Sequence, residues 1–187
     1  MKFWQGRQEG QFHPSLYQCL EEIVPELKPK HYLEIGSHEG LSLRTVIEAA
    51  GTIESVTICD PWGTAYGGSG RGNHHHIDEM LNSIDYTRLR RYLDGKSCDM
   101  LSQIADLTFD LILVDGDHSD EGALWDARTT WPMLNPGGIL VFDDLWHPAH
   151  TLEPVYRKLI KEFEPVATKT WRDSAAGVGI MRKNGLH

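Results

Sequence analysis

No stretch of this sequence approaches the roughly 18–20 consecutive apolar residues that a membrane-spanning helix needs. Its first ten residues, MKFWQGRQEG, also lack the apolar core of a secretory leader. Both absences point to a cytoplasmic protein with no membrane partner. Cysteine is scarce: Cys19, Cys59 and Cys98 are odd in number and unevenly spaced. That pattern excludes a disulfide framework or a zinc knuckle and fits a reducing compartment. Positive charge is short as well. With 18 Lys and Arg against 27 Asp and Glu, the net charge is −9, so no basic surplus remains to track a phosphate backbone, and nucleic acid is not the expected partner. No internal repeat is visible. The one biased segment is GTAYGGSGRGNHHH.

What is present is enough for one domain: 187 residues, 40% of them hydrophobic, can bury a sizeable core. Within an N-terminal helical segment over 1–28, PSLYQCLEEIVPEL places Leu16, Leu20, Ile23 and Val24 at helical spacing behind Pro14. HYLEIG then reads as a buried strand, LSLRTVIEAA as a helix closed by Gly51, and SVTICD as a second strand. Beyond the glycine-rich segment come helical IDEMLNSI, a third strand fed by RLRRYLDG, and a short helix at DMLSQI. Strand FDLILVD, helix EGALWDARTTWPML, strand PGGILVFDD and helix EPVYRKLIKEF follow, and VATKTWR and VGIMRK form a terminal hairpin. Apolar strands alternating with helices predict an α/β, doubly wound, Rossmann-like fold. Its seven-stranded sheet is mostly parallel, covered on both faces, with an antiparallel C-terminal edge. In such sheets ligands bind beyond the carboxyl ends of the strands.

Those ends are polar here. The first strand ends in LEIGSHEG, where a dinucleotide fold would carry G-x-G-x-x-G. His38 takes the place of the middle glycine, and Glu34 puts a carboxylate at the strand tip that repels phosphate and suits a cationic ligand. The second strand ends at Asp60, about 20 residues beyond Gly40, the place of an acid that accepts both ribose hydroxyls of a nucleoside; as the residue before Pro61 it also fits a plain turn starter. The fourth and fifth strands end at Asp115 and at Asp143–Asp144. Neighbouring strands would gather these carboxylates, and a hard divalent cation, Mg²⁺, Mn²⁺ or Ca²⁺, with Mg²⁺ the first expectation, would relieve their repulsion; Asp143 and Asp144 also fit a plain loop cap. His118, three residues past Asp115, has the ordinary pKa of a neutral-pH base. Asp120 and Glu121 fit the first turn of the next helix, where negative charge is favourable.

At these residues, from about His31 to Trp146, the chain resembles the class I S-adenosylmethionine-dependent methyltransferases, and within them the metal-dependent O-methyltransferases. YLEIGSHEGLS resembles their first cofactor motif, which in the catechol and caffeoyl-CoA enzymes likewise lacks the middle glycine. LVDGDHSDEG with LNPGGILVFDDLW resembles their paired fourth- and fifth-strand motifs, and the D-G-x-H form is nearest to the macrocin-type enzymes that methylate sugar hydroxyls. The resemblance implies that Glu34, Gly36 and Ser37 line the methionine half of S-adenosylmethionine and that Asp60 holds its ribose. It also implies that Ser97 and Cys98 border the adenine, with Asp115 at the cofactor as well. Asp115, Asp143 and Asp144 match the metal ligands and His118 the catalytic base. The catechol enzymes usually carry Asn at the position of Asp144, so this chain has an extra carboxylate there. The implied reaction is methyl transfer to the hydroxyl of a small molecule, a sugar or a phenol-like natural product.

Residues 62–78 read as a lid loop over that cofactor, with Trp62, Tyr66 and the histidines facing substrate. His74, His75 and His76 are adjacent, a poor geometry for one ion. Trp146 and His147 are candidate acceptor-wall residues, and Phe3, Trp4 and Phe12 are candidates for a wall or a homo-oligomer contact. The competing readings are a metal-independent methyltransferase, a nicotinamide oxidoreductase, a non-catalytic cofactor-binding module, and an RNA methyltransferase. The acidic balance counts against the last.

Overall fold

The computed structural model describes residues 14–62, 74–174 and 176–185. The element order is α1 (Pro14–Leu27), β1 (His31–Ile35), α2 (Leu41–Ala50), β2 (Ser55–Asp60), α3 (His74–Ser83), β3 (Leu89–Asp94) and α4 (Ser97–Met100). A 3-10 turn (Leu101–Ile104) precedes β4 (Phe109–Val114), α5 (Asp120–Thr130), β5 (Leu134–Phe142), α6 (Glu153–Phe163), β6 (Ala167–Arg172) and β7 (Gly177–Arg182). Phe3, Trp4, Phe12 and Tyr66 lie outside the described residues. Among those described, no helix is long and apolar enough to cross a membrane.

The seven strands form one sheet in the order β3-β2-β1-β4-β5-β7-β6. The first five are parallel, and β7 runs antiparallel to β5 and β6. The terminal hairpin folds back on itself, so β7 takes the inner place and β6 the outer edge. Side chains alternate across the sheet, so each apolar run serves two cores. In β1, Tyr32 joins the layer under α1, α2 and α3, while Leu33 and Ile35 join the layer under α5 and α6.

The chain leaves β1 outward to β2 and β3, then returns to β4 on the other side of β1. The crevice between β1 and β4 is therefore the switch point at which such folds bind ligands. Two helix boundaries matter for the site. Ser119 caps α5 by accepting from Gly122 N at 3.1 Å, which leaves Asp120 and Glu121 in the first turn as expected. α3 begins at His74, so residues 74–78 are helical rather than part of a loop, and of the lid reading only 62 remains described as non-helical; 63–73 lie outside the described residues. The helix extends that far back because Ile77 and Leu81 pack into the core and His74 stacks on Tyr92 and pairs with Asp94.

Candidate active site

A cavity of about 890 Å³ opens at the carboxyl ends of the parallel strands, within the size range of small-molecule sites. Its floor is the turn after β1. Gly36 sits at φ +80°, and a β-carbon there would lie 1.9 Å from the Asp115 carbonyl oxygen. Only glycine fits so close an approach of two strand ends. The turn is held from the end of β2 by Asp60. Its Oδ2 accepts from Ser37 N at 2.8 Å and His38 N at 3.1 Å, and its Oδ1 from Trp62 N at 2.8 Å. Asp60 thus shapes the loop from the same carboxylate that faces the cavity.

Glu34 is placed differently. It is fully buried beneath the turn and is not among the cavity-lining residues. It accepts from the Tyr32 hydroxyl and from Ser42 Oγ at 2.8 Å. Burial raises its pKa to about 7, against the hydrogen bonds from Tyr32 and Ser42, with a further upward push from the Asp60 charge.

The three carboxylates, of Asp115, Asp143 and Asp144, face one cavity. Burial and then the charge of Asp144, with those of Glu34 and Asp60, hold Asp115 well above the usual carboxylate range. Burial, then Asp115 and Asp144, do the same to Asp143. Asp143 Oδ1 is buried with no hydrogen-bond partner among the described residues, an arrangement that is costly without a counter-charge. Asp144 sits at φ 58°, a left-handed conformation that a non-glycine residue adopts against steric cost. His118 Nε2 lies 3.5 Å from Asp115 Oδ1 and 3.4 Å from Asp144 Oδ2. The residues suit a divalent cation: clustered acids, a buried orphan oxygen, and imidazole nitrogens beside them.

Further round the wall, Ser97 and Cys98 line the cavity, as does Trp62, whose Nε1 donates to Asp94 Oδ1 at 2.9 Å. Trp146 and His147 are not lining residues. Trp146 packs against Gly177 and under the Arg172 guanidinium, and His147 stacks on His150. His75 faces Glu79 at 3.2 Å, so the 74–76 run is divided between partners on α3 and β3.

Among the lining residues that sequence reasoning missed are His150, Trp125 and Asp126. His150 Nε2 lies 2.8 Å from Asp144 Oδ2, and its ring stacks on His118 with centroids 4.4 Å apart; the available signal was the H-P-A-H spacing over 147–150. Trp125 and Asp126 reach the cavity from α5. Asp126 is almost wholly buried, and burial lifts its pKa to about 6.

A methyltransferase-domain family model, Methyltransf_24, matches residues 33–145. The chain belongs to that family. The match runs from β1 through the Asp143–Asp144 pair, the span that builds the cavity. Two curated relatives, both uncharacterized proteins, match more weakly. Protein y4gI of Sinorhizobium fredii is 29% identical over 65% of this chain, and R132 of Acanthamoeba polyphaga mimivirus is 23% identical over 71%. The matches span 14% and 60% of those proteins' own lengths. Among solved structures, an O-methyltransferase from Bacillus cereus in complex with SAH is similar at TM-score 0.68 and 16% identity, over 95% of this chain and 84% of that one. TomG from Streptomyces achromogenes, an O-methyltransferase of tomaymycin synthesis in complex with SAM, is similar at TM-score 0.68 and 15% identity, over 90% and 79%. These likenesses establish the fold, that of the class I S-adenosylmethionine-dependent methyltransferases.

Proposed function

We propose that this protein is an S-adenosylmethionine-dependent O-methyltransferase acting on a hydroxyl of a small molecule, a sugar or a phenol-like natural product. The observation that carries the reading is the meeting of His118 with Asp115 and Asp144 at the switch-point cavity of a methyltransferase-family chain. The SAH and SAM bound by the structural relatives support the choice of cofactor. The net charge of −9 favours a small acceptor over nucleic acid.

In this reading the Gly36 turn and Asp60 bind the cofactor, with its ribose at Asp60 and its adenine toward Ser97 and Cys98. The acidic surroundings favour the positive sulfonium over its neutral product. His118 Nε2 takes the proton of the acceptor hydroxyl. The oxygen then forms a bond to the methyl carbon as the carbon–sulfur bond breaks, and the electron pair stays on the sulfur of S-adenosylhomocysteine. A divalent cation such as Mg²⁺ at Asp115, Asp143 and Asp144 would supply Lewis-acid polarisation of the acceptor oxygen. Most of the remaining acceleration comes from holding the two reactants in line.

Calorimetric titration with S-adenosylmethionine, with Mg²⁺ and then with chelator, tests the reading. Micromolar binding that weakens in Asp60→Ala supports it. Absence of both heat and thermal stabilisation, together with binding of NAD(H), would replace it with an oxidoreductase. Loss of methyl transfer on chelation, restored by Mg²⁺, separates the metal-assisted route from the metal-independent one.

A further inference from the structure

Among the described residues, the side chains that come together as potential ion ligands are not the three strand-end carboxylates. One nitrogen each from His118 and His150 and one carboxylate oxygen of Asp144 all lie within 4.8 Å of one another. His150 Nε2 is 2.8 Å and His118 Nε2 3.4 Å from Asp144 Oδ2. Ligands about 2.1 Å from one ion, at right angles, stand about 3 Å apart, so the nitrogens are near enough to share a centre once the two rings, now stacked 18° from parallel, turn their in-plane lone pairs toward it. Behind it lies Asp143, only 3% exposed, whose Oδ1 has no hydrogen-bond partner among the described residues and which lines the same cavity.

We propose that His118, His150 and Asp144 form a mixed nitrogen–oxygen centre for a first-row transition ion of the Zn²⁺, Co²⁺, Ni²⁺ or Fe²⁺ class, in preference to Mg²⁺. Imidazole suits these borderline ions, whereas Mg²⁺ takes all-oxygen octahedral surroundings and keeps much of its water. Two imidazoles and one carboxylate fill three positions and leave the open side of the cavity for an acceptor oxygen. Asp143 and Asp115 supply charge and further oxygens beside the ion. The inference deepens the methyltransferase reading and rests on it for the role of the open position. It changes one assignment: a His118 lone pair given to an ion is not available to a proton, so His118 acts as base only in ion-free protein.

The test is spectroscopic and needs no acceptor. Chelator-stripped full-length protein is titrated with Co²⁺, and the visible d–d absorption is followed before and after millimolar Mg²⁺. One equivalent of Co²⁺ is expected, with bands more intense than those of the hydrated ion and unchanged by Mg²⁺. His150→Ala and His150→Gln, checked by thermal melting, should weaken Co²⁺ at least about tenfold. His75→Ala, on the exposed face of α3, should bind as the parent does. Displacement of Co²⁺ by Mg²⁺, or parental affinity in both His150 variants, overturns the proposal. A parallel titration with S-adenosylhomocysteine keeps the two readings apart. If it binds while Co²⁺ does not, only the metal centre fails; if it does not bind either, the methyltransferase reading fails with it.

Discussion

The carbonyl oxygen of Asp115 lies 1.9 Å from where a β-carbon on residue 36 would sit. The end of β4 is thus pressed into the turn that closes β1, and the two motifs of the site share one contact. Gly36→Ala must move one strand end and also adopt φ near +80° with a side chain. The expected loss of stability is about 3 kcal/mol, with loss of S-adenosylhomocysteine binding. Gly137→Ala is the control: its φ is also +80°, but nothing lies within 4 Å, so only the backbone cost of about 1 kcal/mol applies. Urea unfolding of both variants decides the matter; equal losses would show that the Asp115 contact is immaterial.

Asp60 accepts three backbone N–H groups, from Ser37, His38 and Trp62. Its replacement should therefore damage the protein before any ligand is added. Asp60→Ala strands these donors and is expected to cost about 1–3 kcal/mol. Asp60→Asn keeps one oxygen acceptor and should cost less. Thermal unfolding without ligand, followed by S-adenosylhomocysteine titration, separates the two duties. A variant that melts like the parent yet fails to bind would assign Asp60 to the ribose alone.

Much of this was readable from residue order. Glycine-stopped apolar strands alternating with amphipathic helices specify the parallel sheet, and the strand ends then announce where charge collects. The double burial of β1 and β4 is why those strands read as unbroken apolar runs. His150 escaped because it lies in a loop six residues after Asp144 with no periodicity to place it. Glu34 was legible as a strand-end acid, but its direction depends on strand register. It shares the parity of Tyr32 rather than Ile35, and so points under α2 toward Ser42. Trp146 turned away from the cavity because Gly177 leaves a space beside β7 that its ring fills. No local pattern at Trp146 encodes that.

His118 stands on the loop after β4, and its side chain is 41% exposed. Removing it should therefore leave the fold intact. His118→Ala is expected to retain S-adenosylhomocysteine affinity and the parent's melting temperature, while methyl transfer falls about 100-fold or more. The readout is a single-turnover rate with whichever of a panel of catechol, phenol and sugar acceptors is methylated by the parent. An undiminished rate would remove His118 from the reaction, both as base and as ion ligand.

Glu34 gives a pH signature that does not depend on ligands. Its pKa is about 7 in the folded protein against an ordinary 4.5, because burial penalises the carboxylate more than its donors compensate. Between those values the folded chain holds a proton that the unfolded chain has released, so raising the pH favours unfolding. Stability present below pH 4.5 is lost progressively as pH rises to about 7 and is level above it, by something on the order of 3 kcal/mol. Glu34→Gln replaces the acid with a neutral group of the same shape that can still accept from Tyr32 and Ser42. Its stability between pH 5 and pH 8 should fall less steeply than the parent's, with the residual slope left to Asp115, Asp126 and Asp143, whose pKa values are also raised. Urea unfolding at several pH values measures the difference. Parallel curves for the two proteins would mean that Glu34 is ionised in the fold, and that its hydrogen bonds outweigh its burial.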